Sequence, residues 1–456
     1  MTLNASRPFD AGRRLVLALC AALACSAFSA FTLAAPASAE TSSCALYASP
    51  AGNNANPGSA TAPLRTISAL LARLSAGQTG CLASGQTFNE GVNIHSGESH
   101  GAEGAPVTLT SVDPSTPALI NGRVVTHAGA DWLTFTHLNF TFSEYLLPSI
   151  TIGSTHTTWT YDDVTAPTTI CFNLINSSTW GVAVNTVIEH DRIHGCGSQE
   201  TFLCNQNIPL CETPPNDGFF IHAIYIGGGR NTIIRNDYLY NNADRAVQMR
   251  SGAEGVIVEH NIMDADGEGV IFGDGATGAT VQWNIITGSH SKCGELSGCY
   301  DYGASEYNAA GSNLFAHNDV YGNQCANPVP ACWPNAGNIE KMSHVTVEKN
   351  VEVAPLYVDA GAGNYALQAS SPVLGYGPDA VQPEATSGSG TVTEVPSPTP
   401  VTESSGHTKH GGSKKGAARV ASSVRRRSAP RRTSHHRRRR HRRRHHHHKR
   451  ALSHRH

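Results

Sequence analysis

Between residues 185 and 284 one short pattern of alternating apolar and polar positions recurs. The copies are Asn185-Thr-Val-Ile-Glu-His-Asp191, Asn231-Thr-Ile-Ile-Arg-Asn-Asp237, Gly255-Val-Ile-Val-Glu-His-Asn261 and Ala279-Thr-Val-Gln-Trp-Asn284. Each reads as a strand that ends in Asn or Asp. A second family of short strands interleaves with it: Ala223-Ile-Tyr-Ile226, Ala246-Val-Gln-Met249 and Gly269-Val-Ile-Phe272, spaced by 23 residues and then 23. A strand-and-turn period of this size marks a solenoid, because one turn is too short to bury a face alone and must stack on the next. No helical period fits inside the repeat.

Alternation assigns the faces. Ile224, Val247 and Val270 share one parity with Ile226, Met249 and Phe272, and the six are expected to form two internal apolar stacks. Tyr225, Gln248 and Ile271 should face outward, with Gly227, Arg250 and Gly273. Asp237, Asn261, Asn284, Asn318 and Asn350 close strands at a turn. Asn tolerates left-handed backbone there, and its amide can bond the next copy along the ladder.

This rhythm resembles the right-handed parallel β-helix proteins of the pectate-lyase-like superfamily. Residues 46–87 look like the entry segment of secreted members, in which a strand leads to a capping helix. Thr66 would be its N-cap, with Ile67, Leu70, Leu71 and Leu74 at helical spacing. Residues 350–377 look like the closing segment. The resemblance spans about 45–380. It implies an all-β fold: a single-stranded right-handed parallel β-helix (solenoid) with a short N-terminal capping helix, loop insertions and a disordered C-terminal tail. Activity is not implied with equal force, since the superfamily hosts lyases, hydrolases, epimerases and non-catalytic adhesins.

Residues 1–39 read as a signal peptide: Arg13 and Arg14, an apolar run from Leu15 to Leu33, then Ala37-Ser-Ala39 as a cleavage site. An uncleaved anchor is the alternative. No later apolar stretch is long enough to span a membrane. Residues 90–184 read as less regular first coils with a loop at 141–166. Insertions at about 196–218, 287–301 and 322–337 each follow an Asn-ended strand and precede the next short strand. They should therefore rise from one side of the rod and wall a groove over the turns Asn241–Asp244 and Asp264–Gly267. Residues 381–405 form a Pro/Ser/Thr-rich linker, expected to be disordered.

Cysteine and charge add the compartment and a partner. Of 12 Cys, ten lie beyond residue 39. Their close pairs suit disulfides in an oxidising compartment, with Cys44–Cys81, Cys171–Cys196, Cys204–Cys211, Cys293–Cys299 and Cys325–Cys332 as plausible bridges. The formal net charge of −2 hides a split. Residues 40–405 hold 34 acids against 11 basic residues, whereas the basic tail, 406–456, holds 19 Lys and Arg and no acid. Such a tail cannot fold alone and should bind polyanions, more weakly as salt rises. For an exported, monomeric protein the expected polyanion is an acidic polysaccharide or other cell-wall polymer, and no specific nucleic acid. The protein would then be secreted and associated with the cell surface through its tail.

Elimination from a uronate needs a base, a cation on the carboxylate and a proton source. The resemblance implies a Lys or Arg base and Ca²⁺ on carboxylates. Candidates beside the insertions are Arg245, Arg250, His222 and Tyr225, with Lys341 after the third insertion. Gln248 and Glu268 would contact substrate. Asp244, Asp264 and Asp266 offer hard oxygen ligands to Ca²⁺. His222, Arg245 and Glu268 recur at one repeat position, with the inward parity of Ile224. They form either a salt-bridged internal ladder or, at a corner, an accessible stack. The readings for function are a polysaccharide lyase-like enzyme acting by β-elimination, a non-catalytic glycan-binding or adhesion β-helix, and a glycoside hydrolase. The last lacks a recognisable pair of acids.

Overall fold

A computed structural model describes residues 43–144, 147–198, 221–289, 302–323 and 338–378. Three parallel sheets run the length of the rod. Sheet I stacks eleven strands from Leu46–Ala48 to Val345–Glu348. Sheet II runs from Thr87–Phe88 to Asp319–Tyr321, and sheet III from Val92–Ile94 to Ala304–Glu306. From residue 107 the chain visits them in the order I, II, III and then returns to I one rung further along. This is a parallel β-helix.

The repeat spacing read from the sequence is the register of sheet III: Ile224 pairs with Val247 and Val247 with Val270, while Tyr225 pairs with Gln248 and Gln248 with Ile271. The six expected inward residues are fully buried. Much of the stretch 141–166, expected to be a loop, is instead regular coil, with strands Thr158–Thr160 and Asp163–Thr165 after the strand Ile150–Ile152. Trp159 is fully buried there, stacked 4.1 Å from Phe135 and edge-on to Phe140 and Phe172. Three-residue strands with one inward side chain leave too little alternation to detect.

Sheets I and II meet at a tight corner whose first residue lies in the left-handed region. His137, Tyr161, His190, Asn236, His260, Trp283, His317 and Lys349 have φ between 54° and 60°. From Tyr161 onward an Asp or Asn follows, buried in every case but Asn350, which is half-buried. Its Oδ1 accepts the backbone N–H of its counterpart one rung earlier, in a run through Asp162, Asp191, Asp237, Asn261, Asn284, Asn318 and Asn350. The Asn members also donate Nδ2 to the mid-strand carbonyls of Ile234, Val258, Val281 and Phe315.

The open end is covered by the helix Ile67–Leu71, capped by Thr66, whose hydroxyl accepts from Ala69 N at 3.1 Å. Ile67, Leu70, Leu71 and Leu74 are all buried. Thr66→Ala removes this cap and is expected to cost about 1 kcal/mol, read as a lower denaturant midpoint at unchanged slope. Disulfides join Cys44 to Cys81 and Cys171 to Cys196. The other three expected bridges lie outside the described residues, as do the leader, linker and tail. At the far end, the hairpin of Tyr357–Asp359 and Asn364–Leu367 packs on the outside of sheet II, where Tyr365 and Val373 cluster with Ile262 and Ile285. Among the described residues no helix is long and apolar enough to cross a membrane.

Candidate functional site

The insertions depart from the corner between sheets II and III. The chain leaves sheet II at Arg192–His194, Ile285–Thr287 and Asp319–Tyr321. It re-enters sheet III at Ile224–Gly227, at Ala304–Glu306 and at the bridge between Ala304 and Ile339. The insertions themselves lie largely outside the described residues, but their roots fall on one edge of sheet III. Between them Arg245–Arg250 and Glu268–Phe272 follow uninserted turns.

At that edge His222, Asp244, Arg245 and Glu268 form one cluster. Arg245 Nη1 lies 2.5 Å from Asp244 Oδ2, and Arg245 Nε donates to Glu268 Oε2 at 3.3 Å. His222 Nδ1 approaches the same Asp244 oxygen at 3.1 Å, without the alignment of a hydrogen bond. Ser305 Oγ hydrogen-bonds Glu268 Oε1. The cluster lies on the outer side of the sheet. Ser305 continues the outward row of Tyr225, Gln248 and Ile271, and the His222 ring stacks on Tyr225 at 5.4 Å. It is nonetheless buried, with His222 2% exposed, Arg245 6% and Glu268 1%. Both sequence readings thus hold in part: the ladder is salt-bridged and sits at a corner.

Burial sets the protonation states. The His222 ring is pushed below its usual value by burial, which outweighs the pull of Asp244, so it stays neutral. Glu268 is raised by burial to about 8, against the opposing Arg245 and Ser305, and so carries a proton at neutral pH. Burial works against the Arg245 charge, but Asp244 and Glu268 overcome it and hold its value above the usual one. That gives Arg245 a different task from the expected base: a guanidinium clamped by two carboxyls positions its neighbours and does not accept protons.

The remaining candidates are dispersed. Arg250 is half-exposed at the other edge of the outward face, bonded to Asp274 Oδ2 at 3.0 Å and over the exposed ring of Tyr307. Tyr225 is half-buried, and its ring lies over Gly227, where a Cβ would meet Cε1 at 2.9 Å. Gln248 is buried. Lys341 is exposed on the last coil. The three aspartates proposed for Ca²⁺ have separate partners. Asp244 holds Arg245, Asp264 accepts from Thr287 and Tyr365, and Asp266 accepts the backbone N–H of Asn242 at the corner between sheets II and III. Among the described residues no group of three or more His, Cys, Asp or Glu is placed to hold a metal ion, so this donor set does not fit Ca²⁺. Sequence reasoning missed Ser305, whose only signal was its place in the outward row, and gave Asp244 to a metal.

No protein-family model matches the chain, and no curated protein matches it closely. Solved structures do. A pectate lyase superposes at 13% identity and a TM-score of 0.48, over 73% of this chain and 91% of that one. An alginate lyase from Paenibacillus gives 15% and 0.41, over 63% and 93%. A rhamnogalacturonan lyase gives 9% and 0.41, over 69% and 90%. At these identities the likeness concerns the fold alone, which the sheet register already establishes.

Proposed function

We propose that the chain is a carbohydrate-active enzyme, a polysaccharide lyase that cleaves an acidic polysaccharide by β-elimination at the outer edge of sheet III. The observation that carries this reading is the cluster itself: a neutral imidazole and a protonated carboxyl held together by one clamped guanidinium. Groups whose surroundings push their titrations apart are the signature of paired base and acid. In the reaction, His222 takes the proton beside the uronate carboxyl, and the C–H pair becomes the new double bond. The C–O bond to the leaving sugar breaks, and Glu268 delivers its proton to that oxygen. Arg250 faces the substrate carboxylate, and Tyr225 packs against the His222 ring. The basic tail would hold the secreted protein on an anionic surface.

The test is absorbance near about 235 nm, where an unsaturated product absorbs, on mixing with pectate, alginate and related uronates, with calcium and with chelator. Glu268→Gln keeps the size and one acceptor oxygen but cannot give up a proton in this way, and kcat should fall about 10²–10⁴-fold. The wild-type rate should be flat between a limit below the ordinary imidazole value and one near 8. On the acid side His222 is protonated and lost as base. On the alkaline side Glu268 is ionised and lost as acid. No absorbance across the panel rejects elimination. Reducing ends released without absorbance point to hydrolysis. The near-complete burial of the cluster favours a second reading, a glycan-binding rod in which these charges are structural. Binding without turnover would support it.

A further inference from the structure

The outward face of sheet III continues from Tyr225 toward the N-terminus through Asn173, Thr151, Val125 and Asn93. A second cluster stands on it, three rungs from Tyr225, or roughly 14 Å at the ~4.8 Å strand spacing. Its centre is Trp180, which comes from a short antiparallel hairpin pairing Asn176 with Val182. The hairpin backbone presses onto the coil. Ala128 N donates to Trp180 O at 2.8 Å, and a Cβ on Gly153 would meet that oxygen at 2.7 Å. The half-buried Trp180 ring is thereby held against the Arg123 guanidinium, 5.4 Å from its centre, and against the His127 ring at 5.4 Å. His127 stacks in turn on His95 at 4.2 Å and bonds Asn93 Oδ1 through Nε2 at 2.7 Å.

Arg123 is fixed but not neutralised. Nε donates to Pro148 O at 3.1 Å and Nη2 to Thr151 Oγ1 at 3.0 Å, which sets the plane of the guanidinium. Among the described residues no carboxylate forms an ion pair with it, and Glu144 acts only at longer range. A half-buried guanidinium with no ion-pair partner among the described residues would gain by meeting an anion. Beside it, the next outward residue, Asn173, keeps its side-chain oxygen without a hydrogen-bond partner.

We infer that Trp180, Arg123 and the His95–His127 pair form a distal subsite for one carboxylated sugar of an extended uronan lying along sheet III. The sugar ring lies on the indole, and its planar carboxylate meets the planar fork of Arg123. The subsite rests on the reading of the His222 cluster as the place of cleavage. It deepens that reading by making substrate length matter: a chain long enough to span both clusters gains affinity that a short one lacks.

Isothermal titration of the full chain with short and long oligomers of polygalacturonate and of alginate tests this without requiring turnover. Arg123→Ala and Trp180→Ala should each weaken binding of a long oligomer about tenfold, the usual scale for losing a central contact. Wild-type affinity should rise with oligomer length, since only a long chain reaches both clusters. Trp180→Phe should restore most of the affinity, while Arg123→Lys, with a point charge in place of the fork, should not. A wild-type chain that binds a long uronan, with Arg123→Ala and Trp180→Ala binding it as tightly, overturns the subsite alone. A wild-type chain that binds no uronan overturns the subsite and the lyase reading together. Equal affinity for sulfated glycans lacking carboxylates overturns the assignment to a carboxylated sugar.

Discussion

Asp191→Asn should make the protein more stable at neutral pH, by about 1–3 kcal/mol, the usual cost of a buried polar atom left without a partner. Asp191 sits in the corner ladder, where Oδ1 accepts the N–H of Asp162 and Oδ2 is buried with no hydrogen bond. Asp162 and Asp237, on either side, repeat this arrangement. Burial pushes all three carboxyls well above the usual range. For Asp191 the neighbouring Asp162, Asp237 and Glu189 push further, while Arg235 acts against the shift at Asp237.

The Asn rungs show what the site accommodates. Each Nδ2 donates to a mid-strand carbonyl one rung back, and the matching carbonyl for Asp191, by strand register, is that of Trp159. A neutral acid could make the same bond with its proton, and an ionised one cannot. A carboxyl whose folded value is raised binds more protons folded than unfolded. Its stabilising share is complete below the unfolded value, about 3.9, and disappears as pH climbs through the folded one. Thermal midpoints of the wild type should therefore fall as pH rises above about 4, and the slope should be shallower in Asp191→Asn. The same midpoint in both proteins at neutral pH would mean that the ladder accommodates the charge.

Arg245→Ala should do the opposite, with a loss of about 3–5 kcal/mol. The substitution leaves Asp244 and Glu268 buried side by side without their shared cation. Glu268 would stay protonated, while Asp244 would lose the cation at its Oδ2. The charge-cancelling double variant Arg245→Met with Asp244→Asn should recover part of the loss, and the cycle of single and double variants by urea denaturation gives the coupling. Loss of activity alone, with an unchanged urea midpoint, would mean that the cluster is solvated and not part of the packed edge.

The rod was legible because its evidence is periodic. Ile224, Val247 and Val270 announce a stack through equal spacing, and the ladder announces itself through strand-ending Asn and Asp. The helix under the first coil was legible from Thr66 and four apolar residues. The coil holding Trp159 was not, since its strands are three residues long and two of them carry a single apolar residue. The candidate site was half legible. Spacing brought His222, Arg245 and Glu268 together, but alternation put them on the wrong side. A strand's two-residue period ceases to hold at a corner, where the backbone turns and a long side chain can swing to the outer face. Arg123 and Trp180 carry no repeat at all. They meet through a hairpin that folds back over the sheet, and such a contact leaves no trace in local pattern.

The two kinds of corner differ in what they tolerate. From the strand Leu133–Thr136 onward, the path between sheets I and II has at most two residues, the first in the left-handed region. One added or deleted residue there would misalign both neighbouring sheets. Between sheets II and III one coil turns tightly and another takes more than twenty extra residues. The longest insertions thus rise on the side carrying the ion cluster, so new loops can be grafted there while the frame that presents them stays the same.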